Sequence, residues 1–166
     1  MRLRERCPTV ALSTDIIVGF PGETDAEFAE TLELLEELEY DEVFSFVYSP
    51  RPQTVSAKIY ADDVPQNVKK ARLSKVQALQ REISLAKNRR CLGNVEVILI
   101  DGPSRLRTGQ VMGRTRSNRI VNVVGSESLS GRLMPVRITG ATATSLVGEV
   151  LSDKLDMNSQ LERDRA

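Results

Sequence analysis

A strand that ends in a glycine-containing turn is the stretch of this sequence best suited to bind a small ligand. Residues 13–24 read Ser-Thr-Asp-Ile-Ile-Val-Gly-Phe-Pro-Gly-Glu-Thr, with Asp15 in the apolar run and Gly19, Pro21 and Gly22 in the turn. In barrels and open α/β sheets ligands bind at the carboxyl ends of strands, and glycine lets the backbone approach them closely. Two other interpretations stay open: the carboxylate faces water or caps a neighbouring turn, and the glycines serve only the turn.

A second candidate is a single arginine held between two prolines. Arg51 lies between Pro50 and Pro52, in a loop that follows the next predicted strand. Proline restricts the backbone, and the planar guanidinium of arginine suits phosphate and carboxylate groups. The loop therefore predicts a site that recognises one of these groups, and an ordinary exposed arginine is the alternative.

Three arginines within six residues mark a predicted hairpin. Arg114, Arg116 and Arg119 lie beside Asn118 and hydroxyl side chains, a combination that suits contacts to the phosphates and sugars of RNA. Residues 91–151 contain no Phe, Trp or Tyr, so base stacking is not the expected mode of binding. We expect contacts to phosphate and to RNA shape instead, with a merely charged hairpin as the alternative.

The charge of the chain is divided unevenly along its length. The 23 basic residues balance the 23 acidic ones, but residues 1–60 hold five basic against twelve acidic groups. Residues 69–119 hold thirteen basic groups against three acidic ones. This asymmetry indicates a basic part that meets a polyanion, although the long basic helix predicted at 66–90 is equally compatible with a solvated charged face.

Several kinds of site are excluded by composition. Histidine is absent, so no Ser-His or Cys-His catalytic pair can form. The two cysteines, Cys7 and Cys91, have no metal-binding spacing, and an iron–sulfur cluster needs three or four thiolates. The charged first residues do not form a signal peptide, and no apolar run approaches the length of a membrane span. We expect a soluble, cytoplasmic protein without a membrane partner.

The elements that position these residues follow from periodicity. Residues 23–39 predict a helix with Thr24 as its cap, and residues 42–48 predict a strand packed on both sides. With the first strand they form a βαβ unit, which needs further strands to bury its faces. Residues 49–63 predict a loop, and the alternation after residue 94 predicts a small β-barrel of about five strands.

The motifs together resemble those of the radical S-adenosylmethionine methylthiotransferases. The similarity rests on residues 13–24, on the stretch 46–54 and on residues 91–151, which resemble a TRAM domain, an RNA-binding barrel. Family members usually have glycine where this chain has Gln53. The resemblance implies an α/β plus all-β fold with four segments: the C-terminal part of a radical-SAM domain at 1–64, a linker helix at 65–90, an OB-like TRAM barrel at 91–152 and a flexible tail at 153–166.

The resemblance also implies a function. It places S-adenosylmethionine near Asp15, Gly19, Pro21 and Gly22, and RNA near Arg51 and the hairpin arginines. The chain would be the C-terminal part of an enzyme that adds a methylthio group to N6-dimethylallyl-adenosine next to the anticodon, and it would dock the tRNA anticodon stem-loop. The [4Fe-4S] clusters would lie in the missing N-terminal part of the same enzyme, so this chain alone would be inactive.

Three alternatives remain at this point. Related methylthiotransferases act on threonylcarbamoyl-adenosine in tRNA or on a ribosomal protein. A non-catalytic RNA-binding module, in which the helix and barrel carry the whole function, is the alternative from a different class.

Overall fold

The computed structural model describes residues 2–104 and 108–151, so the predicted tail at 153–166 lies outside the described residues. The chain divides into two compact units, residues 1–87 and the residues from Asn88 onward. The elements are α1 (Arg2–Arg6), β1 (Ser13–Val18), α2 (Asp25–Leu38), β2 (Glu42–Val47), α3 (Val55–Ile59), α4 (Gln66–Arg89), β3 (Val95–Pro103), β4 (Gln110–Thr115), β5 (Ile120–Val124), β6 (Leu133–Ala141) and β7 (Leu146–Val150).

The first unit contains the predicted βαβ arrangement. Strands β1 and β2 pair in parallel, and α2 connects them. Thr24 caps α2: its hydroxyl accepts from the amide of Glu27, whose carboxylate accepts from the amide of Thr24. This reciprocal pair satisfies two amide groups at the helix start, so the beginning of α2 is set by its local sequence.

Only one face of this two-stranded sheet is covered. Val18 packs with Phe28 and Leu35 of α2 and with Val76 of α4. Side chains on the opposite face, Ile17, Phe44 and Phe46, are 55%, 47% and 55% exposed. Side chains alternate between faces along a strand, and the helices cover just one face. The exposed apolar face agrees with the expectation that a βαβ unit needs further strands to bury its faces.

A short helix replaces part of the predicted loop at 49–63. Helix α3 begins after Thr54, whose hydroxyl accepts from the amide of Ala57. Thr54 also bonds the carbonyl of Arg51, which closes the turn after Pro50. The prolines predict irregular backbone here, but Thr54 is also a helix N-cap, and it allows a short helix to form.

The second unit is a closed five-stranded β-barrel, as the sequence predicts. The strand order is β3-β4-β5-β7-β6. All neighbouring strands are antiparallel except β5 and β7. Its interior consists of branched aliphatic side chains: Ile98, Ile100, Val111, Val121, Val123, Val136, Ile138 and Leu146. Closure pairs both edges of the sheet, so the barrel buries its own core.

Strand β3 shows how far alternation alone can be read. Val97 and Leu99, whose alternation marked this strand in the sequence, lie outside the barrel at 56% and 45% exposure. Ile98 and Ile100 between them are buried. Both residue sets are apolar, so the period predicted the strand but not which face turns inward.

No helix in the described part of the chain combines the length and apolarity required to cross a bilayer.

Gly113 of β4 is required by close strand packing. A Cβ atom built at Gly113 would overlap the carbonyl oxygen of Leu99 on β3 and lie 3.1 Å from the Cα atom of Ile100. We expect Gly113→Ala to lower the free energy of unfolding of the barrel by about 2–3 kcal/mol. Gly109→Ala, where a Cβ atom meets nothing within 4 Å but φ is +78°, is the control, with an expected loss of about 1 kcal/mol. Equal losses in urea denaturation would contradict a dominant overlap at Gly113, whose backbone lies outside the left-handed region.

Gln53 adopts a left-handed backbone conformation, with φ of 75°. A side chain in this region costs about 1–2 kcal/mol, whereas glycine adopts it freely but adds entropy to the unfolded chain. We expect Gln53→Gly to leave the stability of the full chain unchanged or raise it by up to about 1 kcal/mol, and Gln53→Val to lower it. A clear loss of stability in the glycine variant on urea denaturation would contradict the assigned conformation.

Candidate functional site

The turn between β1 and α2, residues 19–24, is here called the glycine loop. Its two glycine amides are already occupied by carboxylates: the amide of Gly19 donates to Glu23 Oε2 at 2.6 Å, and that of Gly22 to Asp63 Oδ1 at 2.8 Å. The amide of Glu23 donates back to the carbonyl of Phe20 at 2.9 Å. The loop is thus held by its own carboxylate and by one from the segment before α4.

A buried lysine accounts for Gly19. Lys69 of α4 is 1% exposed, and a Cβ atom at Gly19 would overlap its aliphatic chain. The Lys69 ammonium donates to the carbonyl of Tyr48 at 3.3 Å, forms an ion pair with Asp62 and lies 5.1 Å from the centre of the Tyr48 ring. A side chain, not a ligand, makes the close approach that glycine permits at this position.

A buried arginine holds the other end of the glycine loop. Arg72 is 6% exposed, and its Nη1 donates to the Glu23 carbonyl at 3.0 Å and to Glu23 Oε2 at 2.6 Å. Its Nη2 donates to Asp25 Oδ1 at 2.7 Å, and the guanidinium lies 5.4 Å from the Phe28 ring centre. The hydrogen bond and charge of Arg72 lower the pKa of Asp25. Nε of Arg72 is buried and has no hydrogen-bond partner among the described residues.

These contacts change the interpretation of the basic helix. The basic helix predicted at 66–90, expected to face solvent or a polyanion, includes Lys69 and Arg72, yet both lie inside the first unit. Lys87 also pairs with Asp41 at 2.8 Å. The sequence did contain a signal: positions 69 and 72 lie on the same helical stripe as Leu73 and Val76. Their charge alone predicts an exposed position for Lys69 and Arg72.

A cavity of about 350 Å³ lies beside the start of α2. Its lining includes Glu23, Asp25 and Asp63 against the single guanidinium of Arg72. Three carboxylates around one cation make a poor site for phosphate, so this cavity does not extend the predicted RNA surface.

The predicted cofactor residues lie in unlike surroundings. Asp15 is exposed on the uncovered sheet face, opposite Phe44 on β2. Gly19 is buried, Pro21 is half-buried and Gly22 is exposed, with open space where a Cβ atom would be. Asp15 and Gly22 therefore remain accessible, whereas packing explains Gly19.

Within residues 2–104 and 108–151, the structure contains no arrangement that suits an iron–sulfur cluster. Cys7 is exposed in the first unit and Cys91 is half-buried in the second. Among the described residues no three His, Cys, Asp or Glu side chains are grouped so that they could hold a metal ion. The chain's own residues thus do not fit a cluster, which requires thiolate ligands.

The arginines of the predicted hairpin differ in their contacts. Arg114 and Arg116 are exposed; Nε of Arg114 lies 3.3 Å from Asp101 Oδ2, and its Nη1 donates to Asn118 Oδ1 at 3.0 Å. Asn118 occupies the left-handed region, with φ of 64°, so it forms the turn itself. Arg51, in the first unit, is also exposed.

Arg119 is tied into the second unit. Its side chain is half-buried, and Nη1 donates to Asn88 Oδ1 at 2.5 Å. The amide nitrogen of Asn88 in turn donates to the Thr142 carbonyl at 2.8 Å. Asn88 is buried, and nothing in its sequence context singled it out. Arg119 therefore has a structural contact in addition to its predicted contact with RNA.

The charge of Arg119 affects the pKa of Glu96 on β3. Burial raises the pKa of the Glu96 carboxyl, and the positive charge of Arg119 partly opposes that rise. A raised native pKa makes folding less favourable once pH rises above the ordinary carboxyl range, because the ionised form is better solvated in the unfolded chain.

We expect Glu96→Gln to stabilise the barrel at pH 7, with the gain disappearing as pH falls below the ordinary glutamate pKa of about 4.3. Arg119→Met should raise the Glu96 pKa further, because the opposing charge is lost. Urea denaturation across pH checks the first result and carboxyl NMR titration the second. An unchanged Glu96 pKa in Arg119→Met would contradict the assigned interaction.

Comparison with known proteins gives two consistent results. Residues 89–151 match the family model described as the TRAM domain. The chain is 48% identical over 151 residues to tRNA-2-methylthio-N(6)-dimethylallyladenosine synthase of Syntrophobacter fumaroxidans, a match that covers 91% of this chain and 33% of that protein. The enzymes of the same name from Geotalea uraniireducens and Anoxybacillus flavithermus are 49% and 46% identical, over 90% and 94% of this chain and 33% and 29% of theirs.

The match extends through both units, and the chain spans about a third of the length of these relatives. The resemblance recognised in the motifs is thereby confirmed. Over about nine-tenths of its length the chain is similar to part of these methylthiotransferases, and its residues 89–151 match the TRAM domain.

Proposed function

We propose that this chain is the RNA-docking part of an enzyme that adds a methylthio group to N6-dimethylallyl-adenosine beside the tRNA anticodon, in the cytoplasm. The exposed pair Arg114 and Arg116 on the β4–β5 hairpin carries this proposal. Guanidinium groups next to turn hydroxyls can donate to phosphate and sugar oxygens and orient RNA. Relatives that share nearly half of the residues are named for this reaction on tRNA.

Asn118 supports the hairpin by holding Arg114. The bond from Arg114 Nη1 to Asn118 Oδ1 links the strand residue to the turn, and the ion pair with Asp101 restrains the same side chain. A restrained cation loses less conformational entropy on binding, so phosphate contact at this position is favoured. Arg116, in the turn itself, extends the positive surface.

For the chemistry, we propose that S-adenosylmethionine binds where Asp15 and Gly22 are accessible, and that [4Fe-4S] clusters are held by a part of the enzyme outside this chain. When bound, the sulfonium cofactor supplies the methyl group and, after reduction by a cluster, the radical. The contribution of this chain is to offer the Asp15 carboxylate and the exposed surface of Gly22, where the Cβ position is open and the amide donates to Asp63. The partners are then the tRNA anticodon stem-loop and the rest of the same enzyme.

The alternatives differ in what they require. Methylthiolation of threonylcarbamoyl-adenosine or of a ribosomal protein would use the same barrel with another substrate, and the names of the relatives favour the dimethylallyl-adenosine substrate. The alternative of a binding module alone has one structural observation in its favour. The barrel closes around its own core and does not need the first unit to bury it.

We expect the full chain to bind a tRNA anticodon stem-loop with affinity that falls steeply as salt increases. The double variant Arg114→Gln/Arg116→Gln should weaken binding and flatten the plot of log K against log salt by roughly 1.5, because about 0.7–0.9 of a counterion is released per phosphate contact. Fluorescence anisotropy over a salt series measures both quantities.

Arg132→Gln is the matched control, since Arg132 is an exposed arginine of the same barrel outside the hairpin. It should change the slope much less. If the double variant changes the slope by only twice as much as Arg132→Gln does, the interaction is general attraction between a polyanion and basic residues. Equal affinity for an unstructured RNA of the same length would argue against recognition of the stem-loop.

A further inference from the structure

We propose that Lys69 and Arg72 of α4 are positioning residues for the glycine loop: their charges hold it in the shape that leaves Gly22 open. The proposal rests on the proposed function only in assigning the loop to the cofactor; the positioning itself concerns this chain alone. The two cations lie among four carboxylates, those of Glu23, Asp25, Asp62 and Asp63, which the chain brings to the loop from two segments.

Burial makes these charges dependent on their partners. Lys69 is 1% exposed and the side chain of Arg72 is 7% exposed, so water has little access to either cation to replace a lost carboxylate. An unpaired buried charge is strongly unfavourable, and breaking such a pair costs much more than breaking a surface pair. The pairs therefore select one arrangement of the loop over alternatives that leave a charge uncompensated.

The contacts of Lys69 join three segments of chain. Its aliphatic stem fills the space that the missing Gly19 side chain leaves, at the end of β1. Its ammonium reaches the carbonyl of Tyr48, after β2, and the carboxylate of Asp62. The start of the loop, the end of the second strand and the segment before α4 are all anchored by one side chain.

The contacts of Arg72 pass through a shared carboxylate. Oε2 of Glu23 accepts both from Arg72 Nη1 and from the amide of Gly19, each at 2.6 Å. If Arg72 is removed, the Glu23 carboxylate loses the cation that stabilises it in a site where its side chain is only 14% exposed. The Gly19 amide then loses its acceptor too, so a change on α4 is transmitted to the loop backbone without any direct contact to that amide.

The experiment measures amide hydrogen exchange by NMR in the full chain. We expect Lys69→Met and Arg72→Met to accelerate exchange at Gly19 and Gly22 at least tenfold relative to Leu35 of the first core. Lys70→Met removes an exposed cation from the same helix and should change neither. Leu35 reports loss of global stability, so acceleration confined to the loop separates positioning from unfolding.

Two further variants keep the test decisive if Lys69→Met fails to fold. Asp62→Asn removes the partner of Lys69 from a partly exposed site and should accelerate exchange at the same loop amides. Arg72→Lys retains the charge but lacks the planar fork, so it should restore the loop only in part. Unchanged loop exchange in Asp62→Asn and Arg72→Met would overturn the proposal.

Titration with S-adenosylmethionine then separates positioning from the assigned function. A shift of the Gly22 amide that weakens severalfold in Arg72→Met and persists in Lys70→Met would support both. Accelerated loop exchange without any response of the wild-type loop to S-adenosylmethionine would leave the positioning role intact and contradict the cofactor assignment. A response of equal strength in all variants would show that the two cations do not position the loop for this ligand.

Discussion

The burial of two cations among carboxylates organises the end of the first unit that carries the glycine loop. Lys69 and Arg72 lie one helical turn apart on α4, and their side chains connect this helix to Tyr48 and to the start of α2. Hydrophobic packing around Val76 holds α4 against the sheet. Hydrophobic contacts are not directional, so they do not fix the conformation of a turn. Ion pairs in a water-poor setting are directional and penalise any loop geometry that leaves a charge unpaired. The glycine loop owes its shape to this combination.

The barrel follows another physical rule, in which closure comes first and charge is added outside. Its interior is aliphatic, and Gly113 permits the close approach of β4 to β3. The arginines of the hairpin are then divided by burial. Arg119 donates to Asn88, which ties it to the unit, whereas Arg114 and Arg116 stay exposed. Residues of one type, within one short motif, thus differ in burial and in their contacts.

The uncovered face of the two-stranded sheet links the fold to the proposed chemistry. Ile17, Phe44 and Phe46 expose apolar surface there, and Asp15 is a carboxylate on the same face. Helices α2 and α4 cover the other side, so a ligand that reaches this face meets apolar side chains together with the carboxylates of Asp15 and Glu42. Such an apolar surface with few polar groups is typical of small-molecule sites.

Local sequence determined much of this protein. The Thr24 cap, the parallel βαβ unit, the long helix and the five-stranded barrel were all predictable, because hydrogen-bonding caps and hydrophobic periods act over a few residues. Tertiary structure decided the rest: which side of β3 faces inward, that Lys69 is buried, and that Arg119 contacts Asn88. The physical reason is that burial and ion pairing depend on partners distant in the chain, as Lys69 depends on Tyr48 and Asp62, and a pattern of charges does not specify which of them will meet.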